Sequence, residues 1–281
     1  MSNDPHTLRL FKRSEERPSL TIVCCVDKRY LKQAAVTLPL WLEAAGEIAN
    51  YPFIVFYCDD GANSIPYEDV KRVFSVLPEV RYVAWPKPEW AYAGAYSSQR
   101  EMMLTSFCHA HYWVDTEYFL KIDVDAFPVR RTSIDEWFSP EFFHEYRFSH
   151  PRVERPALVA SAWGYTKPRD QMTELDNWAD KNDVPGVRMN LVEGTSRVVH
   201  PRIASWFCYV NTKFCQEAAH FVPPGRIPVP SHDGFHWYMA ARMGWPIYRT
   251  KFKRTGWTNC PRFKKLLTKV GGIRKQLRET A

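Results

Sequence analysis

The 281-residue chain has no apolar run long enough to cross a bilayer; its longest, such as Leu20–Val26, suit a strand. It lacks a basic start followed by an apolar segment, so no secretory signal is expected. Nor does any C-x-x-C pair occur. The seven Cys are odd in number and several sit in apolar runs (Cys24, Cys25, Cys58, Cys208), which fits buried, reduced thiols of a cytoplasmic protein. No G-x-G-x-x-G or G-x-x-x-x-G-K-[ST] loop follows a strand-like segment, which argues against a dinucleotide fingerprint or a P-loop. Internal repeats and low-complexity segments are missing too.

Hydrophobic residues make up 45% and aromatics 15%, with eleven Trp, so a disordered chain is excluded and one large core is affordable in size. The net charge of +7 is unevenly spread. From Lys251 onward ten Lys and Arg face one acid, Glu279. Such a stretch attracts phosphate, whether in an anionic membrane surface, a nucleic acid or a nucleotide; its bland counterpart is a solvated basic helix face.

Residues 1–18 read as a loose polar leader. Strands are then expected at Leu20–Val26, 53–58, Val80–Ala84 and 118–122. Helices are expected between them at 30–46 (interrupted near Pro39), 69–77 and 98–111. This alternation predicts a mostly parallel sheet covered by helices. Further along, the pattern predicts a helical stretch at 133–147, a strand at 157–163, a long polar loop at 165–200, a strand at 203–210, a short helix from about 213, and a helix stopped by Gly244.

The segment Tyr118-Phe-Leu-Lys-Ile-Asp-Val-Asp-Ala-Phe-Pro128 ends an apolar strand in two carboxylates, Asp123 and Asp125. If the strand geometry persists, both face one spot at the edge where α/β proteins bind ligands. Converging carboxylates repel unless a cation sits between them, and a hard divalent ion carrying substrate phosphates is the usual solution. Asp27 follows the first strand, and Asp59-Asp60-Gly61 follows the second; such acids can accept from a ribose or a base, or simply make a turn. Arg100, near a helix start, could meet a diphosphate through its forked donors. His232 and His236 have the spacing of zinc hydrolases, with Asp233 in place of their Glu. No His, Asp or Glu between Trp237 and Arg278 supplies a downstream third ligand, however. Asp233 can instead cap its helix or act as a general base.

Together, the first strand, the Asp59-Asp60 pair, the Ser98-Gln-Arg100 helix start, the Asp123-Val-Asp125 strand end and the late acidic helix start resemble a GT-A fold nucleotide-sugar glycosyltransferase over roughly residues 19–250. The resemblance implies an α/β, Rossmann-like single domain. Residues 19–130 would form its nucleotide-sugar half, 131–250 its acceptor half, and 251–281 a basic extension. It implies that Asp123 and Asp125 are the D-x-D motif that holds Mn²⁺ or Mg²⁺, with Asp125 the direct ligand. His232 is a candidate third ligand in place of the C-terminal His of many members. Asp27, Asp59 or Asp60, Arg100 and Asp123 would contact the donor, and Asp233 would deprotonate the acceptor hydroxyl. Trp163, Trp206 and Trp237 are candidates for stacking on sugars, with core packing as the alternative. The donor would be a nucleotide sugar, a UDP-sugar first, and the acceptor a saccharide or glycolipid met at an anionic membrane surface. The competing readings are transfer to a hydroxylated base in DNA, a metal-dependent nucleotidyltransferase, and a non-catalytic nucleic-acid-binding protein.

Overall fold

The computed structural model describes residues 19–59, 61, 63–84, 110–128, 143–146, 156–166, 169–189, 199–221, 232–250 and 255–257. For 143–146, 161–166, 169–172, 199–206, 232–235, 248–250 and 255–257 it describes the backbone alone.

Strand β1 (Leu20–Val26) leads through helix α1 (Leu31–Ala44) and a 3-10 turn (Gly46–Asn50) to β2 (Phe53–Tyr57). Helix α2 (Tyr67–Phe74) leads to β3 (Val80–Ala84), and a 3-10 turn (Ala110–Tyr112) precedes β4 (Tyr118–Asp123) and the short β5 (Ala126–Pro128). There follow β6 (Phe143–Tyr146), β7 (Leu158–Thr166), α3 (Arg169–Lys181), β8 (Val199–Asn211), α4 (Thr212–Ala219), α5 (His232–Met243), β9 (Ile247–Thr250) and β10 (Thr255–Trp257).

Eight strands form one sheet in the order β3-β2-β1-β4-β8-β7-β9-β6. Strands β1 to β4 are mutually parallel where they pair, β7 pairs parallel to β9, and β8 and β6 run against their neighbours. The β-branched and aromatic content of β1, β2 and β4 suits strands buried on both faces. Alternation divides them cleanly. Ile22, Cys24, Val55, Leu120 and Ile122 pack with Leu38 and Trp41 of α1 and Phe74 of α2. Val23, Cys25, Phe56, Phe119 and Cys208 pack with Leu175 of α3, Phe214 of α4 and Met239 of α5 on the opposite face. The result is a three-layer α/β arrangement, as the sequence pattern predicts.

Three local expectations are corrected. Pro39 does not interrupt α1, which runs unbroken from Leu31 to Ala44 and buries Leu38, Leu40 and Trp41 around it. The polar stretch 165–200 is not one long loop. Its apolar positions are sparse, yet Leu175 and Ala179, four apart, give α3 a buried stripe. Residues 143–146, expected to be helical, pair as β6 with β9, and the rest of that predicted helix lies outside the described residues. The predicted helix 98–111 falls outside them as well, except its end in the 3-10 turn. Thr255–Trp257, within the basic extension, pairs antiparallel with β5 immediately after Asp125.

Candidate active site

Sheet order places β4 directly beside β1, while the chain leaving β1 turns the other way to β2. This is a topological switch point, where a crevice opens outside the carboxyl ends of the strands. Cys25 pairs with Asp123, so the end of β1, with Asp27 one residue beyond it, adjoins the end of β4. Asp59 stands exposed two residues beyond β2 on the same edge.

The strand does not persist through the aspartate pair. β4 ends at Asp123, and Val124-Asp125 form a turn into β5. Helix α1 holds this turn from beneath: the Thr37 hydroxyl donates to the Val124 carbonyl at 2.6 Å, and Trp41 Nε1 donates to the Ala126 carbonyl at 3.1 Å. Trp41 is itself stacked on Phe207 of β8, with ring centroids 5.3 Å apart. Asp123 stays 24% exposed, whereas Asp125 is 4% exposed. The residue that shares Asp123's face by strand alternation is Lys121, whose Nζ lies 2.6 Å from Asp123 Oδ1. Nearby, burial pushes the Cys24 thiol up to about 12, with Asp123 adding to the rise, so this cysteine is an inert neutral group.

Asp27 is more enclosed than a nucleoside-binding carboxylate read from sequence alone. Its exposure is 1%, and both oxygens are engaged by Arg29: Oδ1 accepts from the backbone N–H, and Oδ2 from Nε at 3.0 Å and Nη2 at 2.6 Å. Arg29, partly exposed, also lies over the Tyr30 ring, 5.3 Å from its centroid. The charged group Asp27 presents at this edge is thus a fixed guanidinium.

Helix α5 lies over β8, β7 and β9 on the face shared by Asp123. Its carboxyl end is fixed at the opposite edge of the sheet. Gly244 turns the chain with φ +78°, and Ile247 enters β9 level with Leu158 at the start of β7. Twelve residues of helix span ~18 Å, about the length of β4, so the first turn of α5 returns to the carboxyl edge. His232 and Asp233 occupy that turn. Trp237, in contrast, is 4% exposed and packs in the core, in keeping with the packing alternative for this residue. Register puts Phe207 opposite Ile122 and so Trp206 next in line at the level of Asp123, while Trp163 pairs with Arg202 further along β8. Asp60 and Arg100 lie outside the described residues, as do the side chains of His232, Asp233, Trp163 and Trp206.

Sequence reasoning missed the device that holds α5. Asp176 of α3 is fully buried and accepts from the Tyr238 hydroxyl at 2.7 Å, from the Met189 backbone N–H at 2.9 Å and from Arg242 Nη1 at 3.4 Å. Arg242 also donates to Asp180 at 2.5 Å and to the Val184 carbonyl at 3.0 Å. Burial, then the Asp176 carboxylate, drives the Tyr238 hydroxyl far above its ordinary value. Burial works against the Arg242 charge, but hydrogen bonding to Asp180 leads a set of partners that hold it above its ordinary value. The spacing of Tyr238 and Arg242, one helical turn apart, was the one signal available.

Two carboxylates are a hard-oxygen donor set of the kind Mn²⁺ or Mg²⁺ accepts when phosphates and water complete the shell. Among the described residues, no group of three His, Cys, Asp or Glu converges, so an all-protein metal cage is not built from them. Also among those residues, no helix is long and apolar enough to cross a membrane.

No family model matches this chain, and no curated protein matches it in sequence. Solved structures do. Core-mannan synthase A (CmsA/Ktr4) from Aspergillus fumigatus, in its Mn/GDP form, is similar with 13% identity and a TM-score of 0.45, over 84% of this chain and 73% of that one. Mouse xyloside xylosyltransferase 1 is similar with 11% identity and a TM-score of 0.44, over 79% and 81%. The galactosyltransferase LgtC, with donor and acceptor sugar analogs, is similar with 14% identity and a TM-score of 0.44, over 81% and 72%. Identities this low do not transfer residue roles.

Proposed function

We propose that this chain is a metal-dependent glycosyltransferase that moves a sugar from a nucleoside diphosphate sugar to a hydroxyl acceptor, a saccharide or lipid-linked glycan first. The observation that carries the reading is the Asp123-Val-Asp125 turn at the switch point between β1 and β4, clamped from below by Thr37 and Trp41. A divalent cation held by Asp125 and Asp123 would supply neutralisation of the departing diphosphate. Arg29 is fixed at the same edge to add donors to that anion.

In the transfer, the bond from the anomeric carbon to the diphosphate oxygen breaks, and the acceptor oxygen forms the new bond. The nucleoside diphosphate leaves with the electron pair. Asp233, in the first turn of α5, takes the acceptor proton in this reading. Its support is the placement of that turn at the carboxyl edge on the face of Asp123.

The test is a thermal-shift screen of nucleoside diphosphates and nucleotide sugars with Mn²⁺, followed by product analysis. A ligand at a hundred times its dissociation constant stabilises by about 2.7 kcal/mol. A nucleoside diphosphate product supports the reading, and pyrophosphate would assign a nucleotidyltransferase instead. Silence from every nucleotide would contradict it.

A further inference from the structure

Lys121 has no part in the scheme above, yet among the described residues it is the most enclosed cation beside the site, at 2% exposure. It sits inside β4, level with Val23 of β1 and Cys208 of β8, on the face covered by α4 and α5. An ammonium in such surroundings persists only when paired. Its stem is anchored in a central strand, and its Nζ reaches one rung up to Asp123 Oδ1 at 2.6 Å. The first carboxylate of the pair is therefore already half satisfied by the protein.

We propose that Lys121 is the resident counter-ion of Asp123, and that it makes the site select a divalent cation already carrying a nucleoside diphosphate over the bare ion. This rests on the glycosyltransferase reading. With Lys121 in place, Asp123, Asp125 and the ammonium together present one net negative charge rather than two. A bare dication gains little there and is repelled by the ammonium. A diphosphate brings its own negative oxygens, which balance the dication and the ammonium alike, so cation and nucleotide enter together. Lys121 is in this sense a positioning residue, since it acts through Asp123.

Mn²⁺ binding is measured by electron paramagnetic resonance, alone and with UDP, GDP, CDP, ADP or dTDP, in the wild type, Lys121→Met and Lys121→Arg. Wild type should bind bare Mn²⁺ at least about tenfold more weakly than Mn²⁺ with its preferred nucleotide. Removing a charge this close should tighten bare binding about tenfold in Lys121→Met, while Lys121→Arg stays near wild type. Lys121→Met is expected to fold, because the charge left behind, on Asp123, reaches water. Should it not fold, the wild type still decides: bare Mn²⁺ bound as tightly as Mn²⁺ with nucleotide overturns the proposal. Nucleotide-dependent Mn²⁺ binding with unchanged bare affinity in Lys121→Met overturns the counter-ion role alone. No nucleotide binding in any condition overturns the glycosyltransferase reading and this proposal with it.

Discussion

Strands β1, β2 and β4 are lined by apolar side chains on both faces, whereas α3 and α5 are joined by a buried ionic cluster around Asp176 and Arg242. The first region carries its charge at the edge, where Asp27, Asp59 and Asp123 stand beyond or at the strand ends, and holds one cation inside a strand, Lys121, which reaches that edge by pairing with Asp123. The second places charge in its centre. The carboxyl edge of the sheet is fixed by packing, and the helix proposed to bring the base is fixed by geometry-sensitive polar bonds. Apolar packing degrades gradually when a group is lost, while a buried charge that loses its partner is strongly penalised.

Arg242→Met should break this contrast hardest, because it leaves Asp176 charged and fully buried. A loss of about 3–5 kcal/mol in urea unfolding is expected. Gly186→Ala should follow at about 3 kcal/mol. Its backbone has φ +114°, and a Cβ would lie 1.7 Å from the Arg242 carbonyl oxygen, so the segment crossing α5 must move. If Arg242→Met unfolds at the wild-type midpoint, the ionic cluster does not hold α5; if Gly186→Ala does, the close backbone approach of residue 186 to α5 does not matter for stability.

The apolar half is probed by Thr37→Val, which removes the hydroxyl under Val124 with little change in volume. About 1 kcal/mol of stability should go, and Mn²⁺-dependent nucleotide binding should weaken beyond what that loss explains. Equal binding would mean the turn holds its shape without α1. The smallest effect is acidic. Hydrogen bonding from Arg242, then its charge and that of Arg188, holds Asp180 below the ordinary carboxylate value. Its pairing therefore adds stability above that value and loses it as pH falls through the lower, folded-state one. Melting temperatures of wild type and Asp180→Asn should converge as the solution is acidified below the ordinary carboxylate range; parallel curves would remove Asp180 from the cluster.

The same contrast explains what was legible in the sequence. Leu20–Val26 and Tyr118–Asp123 announce themselves because buried parallel strands are continuous apolar runs, and an acid that ends such a run marks the sheet edge. Asp176 and Arg242 are 66 residues apart, and nothing local marks either as paired. Helix α3 was hidden in a polar stretch because its apolar positions are few, Leu175, Trp178 and Ala179 among them, and the ionic cluster adds to their hold. Strand periodicity also misled at one point. Two acids spaced i, i+2 suggested a shared face for Asp123 and Asp125, but the strand ends between them. The same rule applied backwards pairs Asp123 with Lys121.

The central claim is that the turn after β4 grips a metal-bound nucleoside diphosphate. Calorimetry of the preferred nucleoside diphosphate with Mn²⁺, in wild type and Asp125→Asn, tests it most directly. The account predicts binding in the wild type that EDTA abolishes and that Asp125→Asn weakens by about a hundredfold or more. Binding that survives both EDTA and Asp125→Asn unchanged would contradict it.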